Sequence, residues 1–379
     1  MLTLSPKHQD IVNKIDDLVA TKIAPRASRY DANYQEPRED IEDLWEAGLL
    51  LANISTKYGG LGYGIDAGDP LAFYLCIERL AYGNPSTAHC FQVHNHTMQM
   101  VEVMATDEQR ERWLEPTIKR GALLTAAGSI PRGQNATVAR KVKGGYLLNG
   151  VKHYATNATM AEWFEITAIL EESGLPIRFM IHHTDEGLRV DASGWKPVGM
   201  RACVSPVVYI DNCFLTEDNI LGNVADRENS GSWLGKFHVA FASNYLGSAE
   251  FMYDWILRYL QEREDSKKLL PKVKIGELKT MLDASKLLVY EAAEQLSRTD
   301  RMRGMLLGNE AKWMAKKTLQ KLIATGGEIV GSSAMFESYP LERYFRDMHV
   351  HMLHSRIDVA AELVGSAELG ETFDINRER

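Results

Sequence analysis

In Val138-Ala-Arg-Lys-Val142-Lys-Gly144-Gly145-Tyr-Leu-Leu148-Asn-Gly-Val-Lys152, positions 138, 140 and 142 and then 146 and 148 mark an alternating pattern on either side of Gly144-Gly145. Alternation about a glycine pair predicts a β-hairpin. Strand-like runs follow at Trp163 to Ile169, Ile177 to His182 and Val207 to Ile210, so a β segment is expected from Ala122 onward. N-terminal to it the period is helical: apolar residues recur every three or four positions in Ile11 to Val19, Ile41 to Leu50 and Pro70 to Tyr82. One irregular stretch interrupts these helices, Tyr58-Gly-Gly-Leu-Gly-Tyr-Gly64, whose glycines are unsuited to a helix interior. C-terminal to the β segment, the polar residues Gly222 to Ser232 read as a linker. Beyond them Phe237, Phe241, Tyr245, Ala249, Met252, Ile256 and Leu260 form one long apolar stripe, and the same periodicity runs through Ile275 to Leu296 and Leu306 to Ile329. The expected α+β chain divides into a helical unit at 1–121, a β unit at 122–222 and a second helical unit at 223–379.

The 379 residues are 45% hydrophobic and 25% charged, an ordinary globular composition, and the net charge of −8 argues against a nucleic-acid-binding face. No apolar run reaches the ~18 residues needed to span a bilayer. Cys76, Cys90, Cys203 and Cys213 lack Cys-x-x-Cys spacing, which predicts a reduced, cytoplasmic protein. Walker, Rossmann and Gly-x-Ser-x-Gly patterns are all absent. His349, His351 and His354 cluster, as do His94 and His96, but no carboxylate stands at a ligand spacing, so no metal site is expected. The long C-terminal stripes favour a homo-oligomer.

Together with the helical, β, helical order, four segments resemble the acyl-CoA dehydrogenase superfamily. They are Tyr58-Gly-Gly-Leu-Gly62, Leu148-Asn-Gly-x-Lys152 followed by Thr156-Asn157, Gly199-Met-Arg201 with Ser205-Pro206, and Tyr339-Pro-Leu-Glu-Arg-x-x-Arg-Asp347. The resemblance implies an N-terminal helical domain, a β-barrel-like middle domain, a C-terminal four-helix bundle and a homotetramer. It also implies a flavin ring held between the last two domains, with Tyr154, Thr156 and Asn157 at its edge.

A dehydrogenase of this kind needs a Glu or Asp to take the proton α to the thioester. Its usual segment, Tyr-Glu-Gly, reads His354-Ser355-Arg356 here, and the alternative stretch Lys236 to Asn244 also lacks a carboxylate. Arg346-Asp-Met-His-Val-His-Met-Leu-His354 instead resembles the dibenzothiophene monooxygenase type, flavin-dependent monooxygenases with a His-x-Leu-His pattern. Asn84-Pro-Ser-Thr-Ala-His-x-x-x-x-His94 resembles the same family's segment for a second active-site histidine, and Ser129-Ile130-Pro131 replaces the dehydrogenase Thr-Glu-Pro loop. Ser355 stands where that family often has Asp.

By that resemblance His94, His354 and Ser129 are catalytic, and Tyr154, Thr156, Asn157, Arg263, Gly326, Gly327 and Arg346 bind cofactor. Reduced FMN, or FAD, would come from a separate flavin reductase, and O2 would oxygenate a small organic substrate through a flavin C(4a)-hydroperoxide. Asp265 and Ser266 break the dehydrogenase Arg-x-x-Phe-Gly pattern after Arg263, which favours FMN because an acidic residue opposes a second phosphate. The alternatives are an acyl-CoA dehydrogenase with another base, and a non-catalytic flavin- or acyl-binding protein.

Overall fold

The computed structural model describes residues 4–222, 233–263, 267–298, 301–354 and 356–377. The positions behind the FMN preference, Asp265 and Ser266, lie outside them, as do Ser355 and most of the expected linker. The N-terminal helices are α1 (Pro6–Leu18), α2 (Ala24–Asn33), α3 (Arg38–Glu46), α4 (Pro70–Gly83), α5 (Pro85–Met104) and α6 (Asp107–Arg120). Strands β1 (Leu123–Ala127), β2 (Val138–Val142), β3 (Gly145–Lys152), β4 (Ala161–Leu170), β5 (Pro176–His182), β6 (Leu188–Asp191) and β7 (Val207–Leu215) follow. The chain continues with α7 (Trp233–Glu262), α8 (Leu269–Leu296), α9 (Met302–Val330), α10 (Pro340–His351) and α11 (Ile357–Glu368). Among the described residues no helix is long and apolar enough to cross a membrane.

The strands form one seven-stranded sheet in the order β1-β4-β2-β3-β7-β6, with β5 paired to β4. β2 and β3 pair antiparallel from Val142↔Gly145 to Val138↔Asn149, so the hairpin turn is Lys143-Gly144 and Gly145 is already in the strand. Gly144 takes φ +88°, the left-handed value that a tight turn requires. Gly145 is glycine for a different reason: a Cβ there would sit 2.1 Å from the Leu215 carbonyl oxygen of β7. β1 and β6, of five and four residues, escape the sequence reading.

Helix starts follow ordinary capping chemistry. Asp69 accepts from Ala72 N before α4, Asn84 accepts from Ser86 N before α5, and Thr106 and Gln109 form a capping box at α6. α5 is buried nearly all round although half of it is polar. Several of its polar side chains are absorbed by neighbours: Thr87 donates to Asp40 at 2.7 Å, Gln99 to Asp66 at 2.9 Å, and Asn95 accepts from Asn53 N at 3.2 Å.

The β sheet is latched to α10 by the Gly199-Met200 loop. Met200 holds φ +55° and its N–H donates to Asp347 Oδ1 at 2.5 Å, while Gly199 packs so tightly that a Cβ would lie 2.0 Å from the Arg346 carbonyl oxygen. Because that contact is backbone and cannot rotate away, Gly199→Ala should destabilise the fold by about 1–3 kcal/mol. Chemical denaturation of the variant would measure it, and an unchanged midpoint would show that the latch is loose.

Candidate active site

Three histidines converge where α5, α7 and α10 meet. The ring of His89 lies 4.9 Å from that of His351 and 5.9 Å from that of His354, and Phe241 of α7 packs 4.8 Å from His354 and 5.8 Å from His89. Tyr245, one turn further along α7, sets its ring edge-on to His351 at 5.1 Å and donates its hydroxyl to the His351 carbonyl at 3.2 Å. The Lys316 ammonium of α9 donates to the Met352 carbonyl. These two bonds fix the end of α10, from which the exposed His354 projects.

Burial keeps this cluster neutral. His89 is pushed down to about 3, first by burial and then by His354, and His351 falls well below the usual histidine range for the same reason, with His89 and His354 adding to it. His89 Nδ1 and His351 Nε2 are buried and have no hydrogen-bond partner. The carboxylate one helical turn before His351, Asp347, is turned away into its bond with Met200 N, and burial raises it to about 6.

The turn after β3 lies against the same stretch of α5. Asn157 donates to the carbonyl of Cys90, the residue after His89, at 2.8 Å. Thr156 Oγ1 bonds Ser205 Oγ at 2.8 Å, and the Thr125 hydroxyl in the middle of β1 donates to the Thr156 carbonyl. His153 N donates to the Ser129 carbonyl at 2.9 Å, which ties the segment after β1 to this turn. Tyr154 and Asn157 both hold positive φ, +56° and +71°, conformations that non-glycine residues adopt rarely. The result is a shelf: Tyr154 is 54% exposed with the His153 ring tilted against it at 3.9 Å, and Asn157 Oδ1 is buried without a partner. An open aromatic face beside an orphaned acceptor fits a flat ring with N–H donors, such as a flavin.

Of the residues expected from sequence, Ser129, Tyr154, Thr156 and Asn157 gather at this shelf and His354 stands in the histidine cluster. His94 does not. It lies five positions beyond His89, on another face of α5, where its Nδ1 accepts from Leu124 N of β1 at 3.0 Å. Arg346 is fully engaged in a structural role, bonding Glu342 at 2.7 and 2.9 Å, Asp31 at 2.7 and 3.2 Å and the Val198 carbonyl at 3.2 Å. Arg263 donates to Tyr259 at 3.0 Å, and a Cβ on Gly326 would meet Ile256 Cδ1 at 2.8 Å. Both therefore lie toward the far end of α7, about 22 Å of helix axis beyond Phe241 at Ile256 and about 33 Å at Arg263; Gly327, beside Gly326, has only an ordinary contact with Phe345. The residues missed are His89, His351 and Phe241; only the helical face each occupies distinguishes them from neighbouring histidines and aromatics. A surface hollow of about 450 Å³ lies elsewhere, lined by Arg38, Arg120 and His183 among others near the start of β1.

The acyl-CoA dehydrogenase N-terminal domain family matches residues 5–120 and the acyl-CoA dehydrogenase C-terminal domain family matches residues 234–354. The chain belongs to the acyl-CoA dehydrogenase family. It is 24% identical to cyclohex-1-ene-1-carbonyl-CoA dehydrogenase of Syntrophus aciditrophicus (strain SB), over 97% of this chain and 91% of that protein. Among solved structures, the glutaryl-coenzyme A dehydrogenase glutaryl-CoA complex superposes with a TM-score of 0.90 at 20% identity, covering 100% of this chain and 98% of that one. Dibenzothiophene monooxygenase (TdsC) from Paenibacillus sp. A11-2 superposes with a TM-score of 0.86 at 21% identity, covering 97% and 99%. These likenesses agree with the helical, curled-sheet and helical-bundle order, and the family is one of flavin-dependent oxidoreductases.

Proposed function

We propose that this family member is a flavin-dependent monooxygenase that takes reduced flavin from a separate reductase and uses O2 to oxygenate a small organic substrate. One observation carries the reading: at the end of α10, where dehydrogenation requires a carboxylate, three histidines and Phe241 meet, and the two buried histidines are neutral. Imidazoles held neutral this far below pH 7 are weak bases for a carbon acid, but their N–H groups donate and their bare nitrogens accept hydrogen bonds at oxygen, and the exposed His354 beside them is placed to carry a proton there. Reduced flavin, when bound, supplies the electrons with which O2 is activated.

This chain's residues then have separable tasks. Tyr154, Thr156 and Asn157, with Ser129 beside them, hold the ring; Phe241 and the histidine cluster exclude water from its neighbourhood. His354 moves a proton at the reacting oxygen, and His89 takes the second histidine role that the sequence suggested for His94. Arg263, Gly326 and Gly327 serve a phosphate tail approaching from a neighbouring subunit of a homotetramer, and Arg346 positions the sheet against α10. FMN is preferred over FAD, in keeping with Asp265 and with the likeness to TdsC, which has been solved with FMN. The protein is cytoplasmic.

The sequence relatives favour a second reading, an acyl-CoA dehydrogenase, since cyclohex-1-ene-1-carbonyl-CoA dehydrogenase is among them. The two separate in one experiment on the purified protein. A monooxygenase consumes O2 and forms product only when reduced flavin is supplied, whereas tightly held yellow flavin bleached by an acyl-CoA under anaerobic conditions would reject the proposal.

A further inference from the structure

Two of the four cysteines meet. Cys90 of α5 and Cys203 of the loop between β6 and β7 are 1% and 3% exposed, and the Cys90 thiol donates to the Cys203 sulfur. The bonds around them hold helix and loop together independently of that contact. One turn earlier on the same face of α5, Ser86 Oγ lies 3.9 Å from Met200 Sδ, and the loop closes on itself through the bond from Cys203 N to the Met200 carbonyl at 3.0 Å. On the other side, the Cys90 carbonyl accepts from Asn157 of the shelf. Cys76 of α4 and Cys213 of β7 are buried too, but neither has a thiol neighbour among the described residues.

The two sulfurs differ in their surroundings. Cys203 Sγ lies 3.8 Å from Ser205 Oγ, which bonds Thr156 Oγ1 at 2.8 Å, so hydroxyls lead from this thiol to the shelf. Cys90 faces Cys203 instead. That hydrogen bond, with burial, pushes its thiol well above the usual cysteine range, which keeps it protonated at neutral pH. Cys203 is therefore the thiol whose proton has an exit.

We infer that Cys90 and Cys203 are a modification site, a peroxide-sensitive dithiol at which hydrogen peroxide closes a disulfide between α5 and the 200–206 loop. The Cys203 sulfur attacks one peroxide oxygen, the O–O bond breaks, and the thiol proton passes by way of the Ser205 hydroxyl to the leaving oxygen, giving a sulfenic acid and water. The Cys90 sulfur then attacks the Cys203 sulfur, and the S–OH bond breaks as hydroxide leaves with the Cys90 proton as a second water. The two sulfurs give up two electrons and the peroxide accepts them. Ser205, two positions from Cys203, is drawn along, so Thr156 loses its partner and the shelf loosens. A flavin oxygenase releases hydrogen peroxide when no substrate is bound, and the bridge then limits wasted turnover; this consequence rests on the monooxygenase reading, whereas the bridge itself does not.

The test treats the purified full-length protein with millimolar hydrogen peroxide and counts thiols after unfolding. Two of the four should be lost, peptide mapping by mass spectrometry should find Cys90 joined to Cys203, and dithiothreitol should restore all four. In Cys90→Ser, Cys203 should stop at a sulfenic acid that dimedone traps, and Cys203→Ser should form no bridge. FMN affinity of the oxidised protein should fall about five- to tenfold, as the loss of one hydrogen bond implies, and return on reduction. Four thiols surviving in the wild type, oxidation spread to Cys76 or Cys213, or sulfinic acids without a bridge would overturn the dithiol, and unchanged FMN affinity in the bridged protein would overturn its link to the shelf. Peroxide is supplied from outside, so a bridge in a protein without oxygenase activity keeps the pair and rejects only the monooxygenase reading, and an active oxygenase without the bridge does the reverse.

Discussion

His354→Ala and His89→Gln are expected to keep flavin affinity within a few-fold of wild type while product formation falls by about 10²- to 10⁴-fold and H2O2 release rises. The magnitude follows from what a positioned acid-base group contributes, and the direction from geometry. His354 is exposed just beyond α10 and packs against Phe241 and His89, so its removal leaves the fold's interior unchanged. His89 is buried with Nδ1 unpartnered, and glutamine keeps a polar side chain of similar reach in its place. His94→Ala should behave in the opposite way. It strips Leu124 N of its acceptor in the seam between α5 and β1, so it should lower stability by about 1–3 kcal/mol and leave coupling intact in the protein that remains folded. The measurement is product formed per O2 consumed at equal flavin saturation. If His94→Ala uncouples the enzyme and His89→Gln does not, the assignment of the second histidine is reversed.

How far the sequence reaches is clearest along α5 and α10. The long helices α7, α8 and α9 were legible because each has an apolar stripe at helical period, and β2 and β3 because alternation flanks a glycine pair. α5 has no such stripe. It is buried on every side, so its hydrophobicity does not vary around the axis, and its histidines at 89, 94 and 96 look equivalent in one dimension. Their roles separate only when neighbours are assigned: β1 for His94, Phe237 for His96, and Phe241 with α10 for His89. Arg346 shows the converse. Its motif is strong in sequence, but its guanidinium is occupied by Asp31 and Glu342, one from a helix over three hundred positions away, and no local pattern encodes that contact. The shelf at Tyr154 to Asn157 was legible through its motif, whereas the strained backbone that opens it was not.

Acidification from pH 7 to pH 5 should lower the melting temperature by roughly 5 °C, because this protein buries more neutral histidines than protonated carboxyls. His89, His94 and His96 are each pushed down by burial to about 3. Their unfolded value is about 6.5, so between 6.5 and 3 the unfolded chain binds more protons and stability is lost as the pH falls. At pH 5 each costs roughly 2 kcal/mol relative to neutral pH. His238 and His351 are shifted in the same direction. Asp40 and Asp347 oppose them. Burial raises both to about 6, so the folded protein binds the extra proton between 6 and about 3.8, and each returns about 1 kcal/mol at pH 5. Glu250, raised to about 7 by burial and by Glu78, acts in that direction too, but Lys286 at 2.7 Å holds part of its charge. Five histidines against three carboxyls leave a net loss of a few kcal/mol, which calorimetry at the two pH values would register. His96→Phe keeps an aromatic ring against Phe237 and removes one titrating group, so the drop should shrink by about a quarter to a half. A melting temperature that is equal or higher at pH 5, or a His96→Phe variant with the full wild-type drop, would mean that the buried histidines do not govern the acid response.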